Sequence, residues 1–291
     1  MRDHSDYDDI NSIKAEFNDI YDAQDPRLYF QTLGQLDYQI PQNARPIFEK
    51  VFHACRESRD LDTLTVLDIG CSYGINAALL KHDVNLDDLY THYNDPATAD
   101  LERSALIRSD AAILGEPSAK PPLEVIGLDI AGNAVAYAHD LGLLDDGIVA
   151  DLEAGPLDAH DAERVADVDA IISTGCVGYV GEETFNRLLA RADHRKPPWV
   201  ASFVLRMFPY EQIARRLADF GLVTEKLEGR TFVQRAFESQ DERDGTLQKL
   251  QDLGLSSRFE EKLGCFVTEF FLSRPADEVA RHPLGKIAGM A

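Results

Sequence analysis

Residues 66–80 read VLDIGCSYGINAALL, and this stretch decides the fold. A run of branched apolar residues ends in Asp68, turns through Gly70, Ser72 and Gly74, and continues as an apolar-periodic segment. That is a buried strand, a tight turn and a helix start, so the backbone N–H groups of the turn face whatever lies above the sheet edge. The dinucleotide pattern G-x-G-x-x-G fails: counting from Gly70, its second glycine is Ser72 and its third is Ile75. The phosphate loop fails too, since no Gly-Lys-Ser/Thr follows. An acid at the strand end repels a pyrophosphate and suits a ligand with a positive centre and an amino group.

Outward from that stretch the pattern repeats. Short apolar runs at 64–70, 122–130, 147–152, 168–176, 199–208 and 265–275 predict strands, with a further strand region over 224–237. Amphipathic segments at 74–82, 131–142, 182–192 and 210–221 predict helices between them. Such alternation is the mark of parallel strands joined by crossover helices. Residues 1–60 predict a helical cap broken by Pro26, Pro41 and Pro46, and 61–275 the core. Insertions fall at about 82–121, with a helix over 95–115, and at 239–264, which reads as a helical hairpin. Residues 276–291 are expected to be a C-terminal tail, loose over HPLGKIAGMA, 282–291.

With 44% hydrophobic residues among 291, the chain can bury a large core. Its 51 Asp and Glu against 29 Lys and Arg give a net charge of −22, which repels phosphate backbones and anionic lipid. Nucleic acid and membranes are therefore excluded as expected partners. Cys55, Cys71, Cys176 and Cys265 lie far apart without a C-x-x-C pair, which argues against a zinc site or a disulfide framework and predicts no metal. The first residues, MRDHSDYDDINSIKAEF, carry no apolar stretch of the secretory kind, so a cytoplasmic location is expected.

The D-I-G-C-S-Y-G segment resembles the first motif of the class I S-adenosylmethionine-dependent methyltransferases, an acidic residue followed by x-G-x-G-x-G, with Ser72 in place of the middle glycine. The resemblance extends over residues 64–275, because later strands also end in fitting residues. It implies a Rossmann-like, doubly wound α/β fold, with a mostly parallel seven-stranded sheet, an N-terminal helical cap and helical insertions. It implies S-adenosylmethionine as cofactor. Asp68, Gly70, Ser72 and Gly74 would hold the donor, with Ile130 also lining its site; Asp129 would accept its ribose hydroxyls, and Asp151 with the Leu152 backbone would read its adenine. Ser173 to Tyr179 would stand at the transfer centre, with Tyr73 in the neighbouring loop. The 173–180 loop, S-T-G-C-V-G-Y-V, lacks the Asn/Asp-Pro-Pro-Tyr motif and a catalytic His, so no general base is evident.

Basic residues are scarce, so those inside apolar strands need explanation. Arg206 closes a strand in F-V-L-R-M-F, and Arg230 and Arg235 bracket T-F-V-Q-R. A buried Arg must be paired, either by a substrate carboxylate or by one of the many acids. Arg206 is the candidate anchor for an acceptor carboxylate. The segment P-R-L-Y-F-Q-T-L-G-Q-L-D-Y-Q-I-P is expected to fold over the cofactor as a lid, with Tyr29, Tyr38 and Gln39 as contacts. Aromatic faces, among them Tyr21, Tyr73 and Tyr179, can hold a cationic sulfonium or ammonium.

The expected activity is thus methyl transfer to a small-molecule acceptor by direct in-line attack, with Tyr179, Arg206 and Tyr73 at the chemistry. A carboxylate-bearing amino acid is one acceptor. The layout is similar to bacterial methionine S-methyltransferases that begin dimethylsulfoniopropionate synthesis, an osmolyte route that suits an acidic chain. Natural-product O- or N-methylation is the alternative, and a non-catalytic S-adenosylmethionine-binding module is the alternative of another class. The partners expected are the acceptor and, for assembly, a second copy of the chain.

Overall fold

Every residue from Trp199 to Leu205 is buried, a state a strand reaches only when helices cover both faces of its sheet. The computed structural model describes residues 5–15, 17–118, 121–192 and 196–289. In chain order the cap comprises α1 (Ser5–Asn11), α2 (Asn18–Tyr21), α3 (Arg27–Gly34) and α4 (Ile40–Arg59). The core opens with β1 (Leu64–Ile69) and α5 (Ile75–Lys81); the first insertion carries α6 (Leu86–Tyr93), α7 (Pro96–Ala99) and α8 (Arg103–Leu114). There follow β2 (Leu123–Asp129), α9 (Gly132–Asp140), β3 (Asp146–Val149), α10 (Ala159–Arg164), β4 (Ala170–Thr174) and α11 (Glu182–Leu189). Next come β5 (Trp199–Leu205), α12 (Glu211–Ala218), β6 (Leu222–Lys226), β7 (Phe232–Ala236), α13 (Gln240–Asp252) and α14 (Arg258–Leu263). β8 (Cys265–Pro275), α15 (Ala276–Arg281) and α16 (Leu284–Ala288) close the order.

The strands form one sheet in the order β3-β2-β1-β4-β5-β8-β6, with β7 also on β8. β1 to β5 are parallel, and β8 runs antiparallel to β5, β6 and β7. This is a Rossmann-like α/β sheet. It holds eight strands rather than seven because the region expected as one strand is interrupted. β6 and β7 lie end to end along the same edge of β8, and Gly229, at φ +72°, turns the chain between them.

Alternation along β1 sorts its side chains between two apolar layers. Leu64 and Val66 join the layer formed with α4, while Leu67 and Ile69 join the layer formed with Phe185 and Leu217. Asp68 therefore faces the α4 side, beneath α5. The register pairs Asp68 with Gly127 of β2 and with Ile172 of β4, so the strand ends arrive at one edge together. Ligands of open α/β sheets bind at that edge.

Two expectations are corrected. Pro41 and Pro46 do not break the cap: Pro41 sits in the first turn of α4, where its missing N–H costs nothing, and the helix continues through Pro46. The segment after β8 is not loose as far as Gly289. Leu284 and Ala288 are buried, and Lys50 Nζ of α4 donates to the Ala288 carbonyl at 2.9 Å.

Candidate active site

The turn between β1 and α5 is built from left-handed residues. Gly70, Ser72 and Gly74 have φ of +69°, +49° and +75°. Gly70 has no room for a side chain, since a Cβ there would lie 2.8 Å from Cys176 Cβ. Ser72 accepts a backbone that normally favours glycine, and its N–H donates to Asp129 Oδ2 at 2.8 Å. Asp129 Oδ1 accepts from the Ala131 N–H at 3.0 Å. One carboxylate thus ties the first loop to the second. Burial raises the Asp129 pKa, against the stabilising backbone donors of Ala131, Ser72 and Ile130. A carboxylate whose charge is disfavoured by burial gains from two further hydroxyls on its remaining lone pairs.

Asp68 lies deeper than expected. It is fully buried, and Asn76 Nδ2 donates to its two oxygens at 3.0 and 3.2 Å and to Thr174 Oγ1 at 3.1 Å. It braces the turn from beneath, through Asn76, and links the β1 and β4 ends. Burial pushes its carboxyl up to about 7, Asn76 opposing and the Asp129 charge assisting. The ordinary aspartate value is about 3.9, so the folded chain keeps a proton that the unfolded chain releases between about pH 4 and 7. That contribution to stability is complete below the unfolded value and is lost as pH rises through about 7. Asp68→Asn removes it. Urea unfolding from about pH 4.5 to 8 should show the variant gaining on the wild type by on the order of 2–4 kcal/mol as pH rises. A constant difference between the two would contradict this account.

At the same edge several apolar side chains stand exposed: Ile130 is 71% exposed, Tyr179 57%, Val149 54% and Tyr21 37%. Tyr21 of the cap packs edge-to-face on Tyr29, 5.8 Å between ring centroids, and burial foremost, with the nearby Tyr179 and Asp129 groups, raises its hydroxyl pKa. The roof is fixed by backbone. Tyr73 donates from its hydroxyl to the Ile20 and Ala23 carbonyls at 3.1 and 2.9 Å. Asp22 receives the Asn133 N–H at 2.8 Å on its side chain and Asn133 Nδ2 at 2.9 Å on its carbonyl. α1 is held likewise: Asn11 Nδ2 donates to Gly178 O and Tyr7 to Pro209 O, each at 2.8 Å.

Of the residues predicted from sequence, Asp68, Gly70, Ser72, Gly74, Asp129, Ile130, Ser173 and Tyr179 come to this edge. Ser173 is buried in β4, near Cys176. Asp151 lies two residues beyond β3 and is exposed, and its Oδ1 accepts from the Glu153 and Ala154 N–H groups at 2.9 and 3.1 Å. It shapes the loop. Leu152 is buried, and its carbonyl accepts from Arg187 Nη1.

Four expectations are corrected. Arg206 is not placed as an acceptor anchor: its Nη1 donates to both Glu260 oxygens at 2.8 Å, its Nη2 donates to Ser256 O at 3.0 Å, and Glu269 Oε1 lies 3.5 Å from its Nε, so its charge is met from within the chain. Tyr73 is 2% exposed with its hydroxyl spent on the roof, and it is not placed at the chemistry. Tyr29 and Tyr38 do not form a lid surface. They are buried in an edge-to-face aromatic cluster with Tyr73 and Tyr21 beneath the roof. Gln39 uses its N–H on Gln234 O at 2.8 Å and its side chain on Asp37 and Asn43, which anchors the cap to β7.

Sequence reasoning missed Lys14 and Asp22. Lys14 left one signal: it is the only Lys or Arg between Arg2 and Arg27, in a stretch crowded with acids. A surface groove of about 830 Å³, lined by Tyr7 of α1, Gly181, Pro209, Arg215 and Lys249 among others, contains none of the predicted residues.

The donor set fits a nucleoside bearing a cationic group. Ser72 Oγ is buried without a hydrogen-bond partner among the described residues, Asp129 has lone pairs to spare, and the exposed apolar surface beside it matches a flat base. No cluster of three or more metal-ligating side chains occurs among the described residues. No helix among them is long and apolar enough to cross a membrane.

No family model and no curated protein matches the chain. Solved methyltransferase structures are among those to which it is similar. The plantazolicin methyltransferase BpumL in complex with SAH is 12% identical, the match covering 92% of this chain and 97% of that one, with a TM-score of 0.43. The magnesium protoporphyrin IX methyltransferase ChlM from Synechocystis PCC 6803 with bound SAM is 13% identical over 93% and 91%, with a TM-score of 0.39. The precorrin-6y C5,15-methyltransferase from Geobacter metallireducens GS-15 is 11% identical over 77% and 87%, with a TM-score of 0.38.

Proposed function

We propose that the chain is an S-adenosylmethionine-dependent methyltransferase acting on a small-molecule acceptor. The observation that carries this reading is Asp129, fixed by the Ser72 and Ala131 N–H groups at the mouth of a left-handed turn and flanked by exposed Ile130. When bound, the donor supplies a methyl group on a cationic sulfur. The residues of the chain then bind, orient and exclude water. Asp129 accepts the ribose hydroxyls; Ile130, Val149 and Tyr21 cover the base; the 173–179 loop bounds the space in which the acceptor meets the methyl. Proximity of that kind contributes about 7–11 kcal/mol to a bimolecular transfer.

With Arg206 spent on Glu260, the carboxylate anchor that pointed to an amino acid is gone, and methionine loses its support. An acceptor selected by apolar and aromatic surface, of the natural-product O- or N-nucleophile kind, is the better match to exposed Tyr179 and Tyr21.

Calorimetry with S-adenosylhomocysteine should show micromolar binding, and Asp129→Ala should weaken it at least about tenfold, the loss expected of charge-assisted hydrogen bonds. Thermal melts on the same samples separate lost contact from lost fold. Unchanged affinity in a folded variant would remove the ribose assignment. A labelled methyl donor mixed with the low-molecular-weight fraction of a cell extract then separates the enzyme from a binding module, which would hold the donor and transfer nothing.

A further inference from the structure

The segment after α1 brings one amine to the strand-end edge. Lys14 Nζ stands 4.1 Å from the centroid of the Tyr179 ring and 5.7 Å from that of Phe208. It thus lies between the loop that follows β4 and the chain that follows β5. The groups facing it are Cys176 behind β4, Arg235 of β7 and Glu242 of α13. Glu242 is already saturated, taking Arg235 Nη1 and Nη2 at 2.9 and 2.6 Å, the Ala15 N–H at 2.8 Å and the Glu238 N–H at 2.7 Å. Among the described residues Lys14 forms no ion pair, and its ammonium is left with aromatic faces and a neighbouring guanidinium.

We propose that Lys14 is the general base of the methyl transfer, taking the proton that an O–H or N–H acceptor sheds as its lone pair attacks the methyl carbon. This rests on the methyltransferase reading above. The new bond joins the acceptor oxygen or nitrogen to that carbon. The carbon–sulfur bond breaks and leaves its electron pair on sulfur, while the proton passes to Nζ and later to water. Burial first, and then the Arg235 charge, depress the Lys14 ammonium to about 7, with Glu242 and Cys176 opposing. An amine in that range is unprotonated in about half of the molecules at neutral pH, so it can accept a proton and still return it to solvent. It also answers the want of a base in the 173–180 loop: the base comes from the cap, a different part of the chain.

The full chain serves for the test. Reductive methylation with ¹³C-formaldehyde gives each lysine a resonance, and the one missing in Lys14→Arg is that of Lys14. Its midpoint should fall near 7, whereas one near the ordinary value of about 10.4 would overturn the proposal. Calorimetry adds a second reading. Because the methylated donor is cationic and S-adenosylhomocysteine lacks that charge, the ratio of their affinities should rise severalfold with pH through the Lys14 midpoint and stay flat in Lys14→Met. Transfer into the low-molecular-weight extract at saturating donor should fall by about 10²-fold or more in both Lys14→Met and Lys14→Arg, with S-adenosylhomocysteine affinity within about twofold. Activity retained by Lys14→Arg, which keeps the charge but cannot release a proton, would show an anion anchor in place of a base. Failure of the wild type to bind either donor form would instead overturn the methyltransferase reading itself.

Discussion

Asp110→Ala is expected to lower the stability of the chain by about 3–5 kcal/mol, as loss of a buried, multiply bonded carboxylate does. Asp110, in α8, is 1% exposed and accepts from His92 Nε2 at 2.8 Å, Tyr93 at 2.6 Å and Tyr137 at 2.5 Å. Three helices, α6, α8 and α9, therefore meet at one side chain. Burial foremost, with Asp110 beside them, raises both phenols well above the ordinary tyrosine value, so they remain donors across the working pH range. Alanine would leave all three donors unsatisfied in an apolar setting beside Leu114 and Leu141. Urea unfolding at pH 7 measures the effect. Asp110→Asn, which keeps one acceptor oxygen, should fall between the two, and an alanine variant within about 1 kcal/mol of wild type would show that the cluster contributes little.

Glu242→Ala should cost a similar about 3–5 kcal/mol, or about 10 °C in melting temperature for a chain of this size. It would leave Arg235, itself 4% exposed and packed over Phe17 and Phe266, as an unpaired buried cation. The Ala15 N–H would also lose its acceptor, freeing the segment that holds Lys14. Burial alone would raise the Glu242 pKa, but the Arg235 hydrogen bonds and charge, with the Ala15 and Glu238 N–H groups, outweigh it and hold the carboxyl below its ordinary value. Its contribution is thus complete above the unfolded value of about 4.3 and lost as pH falls through the depressed one. Glu242→Gln should flatten the acid limb of the stability profile. Replacing both partners, Arg235→Met with Glu242→Leu, should recover most of the loss, because no charge is then stranded. A double variant as unstable as Glu242→Ala would place the cost in the Ala15 and Glu238 contacts instead.

The parts of this molecule legible in its sequence are those set by local pattern. β8 spans the expected 265–275, and β1, β2 and β5 fall within a few residues of expectation, because buried strands declare themselves as apolar runs. The turn at 70–74 was legible because left-handed backbone leaves glycine behind it. Long-range partners left no such mark. Arg206 meets Glu260 from 54 residues away, and nothing in F-V-L-R-M-F distinguishes an arginine waiting for a substrate from one already paired. Tyr29 and Tyr38 look like lid residues until Tyr73 is seen packed against Tyr29. The cap was legible as helices, but which of its residues reach the strand ends is decided by single hydrogen bonds such as Asn11 to Gly178.

The long antiparallel strand has a consequence for how the chain reaches this state. β5 uses one edge of β8, and β6 and β7 share the other. All three precede it in sequence, and among the described residues β6 and β7 have no other strand partner. Strands β1 to β5 can assemble from pairings among themselves, whereas β6 and β7 must wait, with their backbone N–H and C=O groups unpaired, until residues 265–275 arrive between them and β5. The insertion that carries α13 and α14 lengthens the loop that must close for this to happen. Completion of the sheet is therefore a late, non-local event, and until then the β5 edge is an open template for any other strand in reach. A single late-arriving strand sets the interval during which a newly made chain is exposed to misassembly.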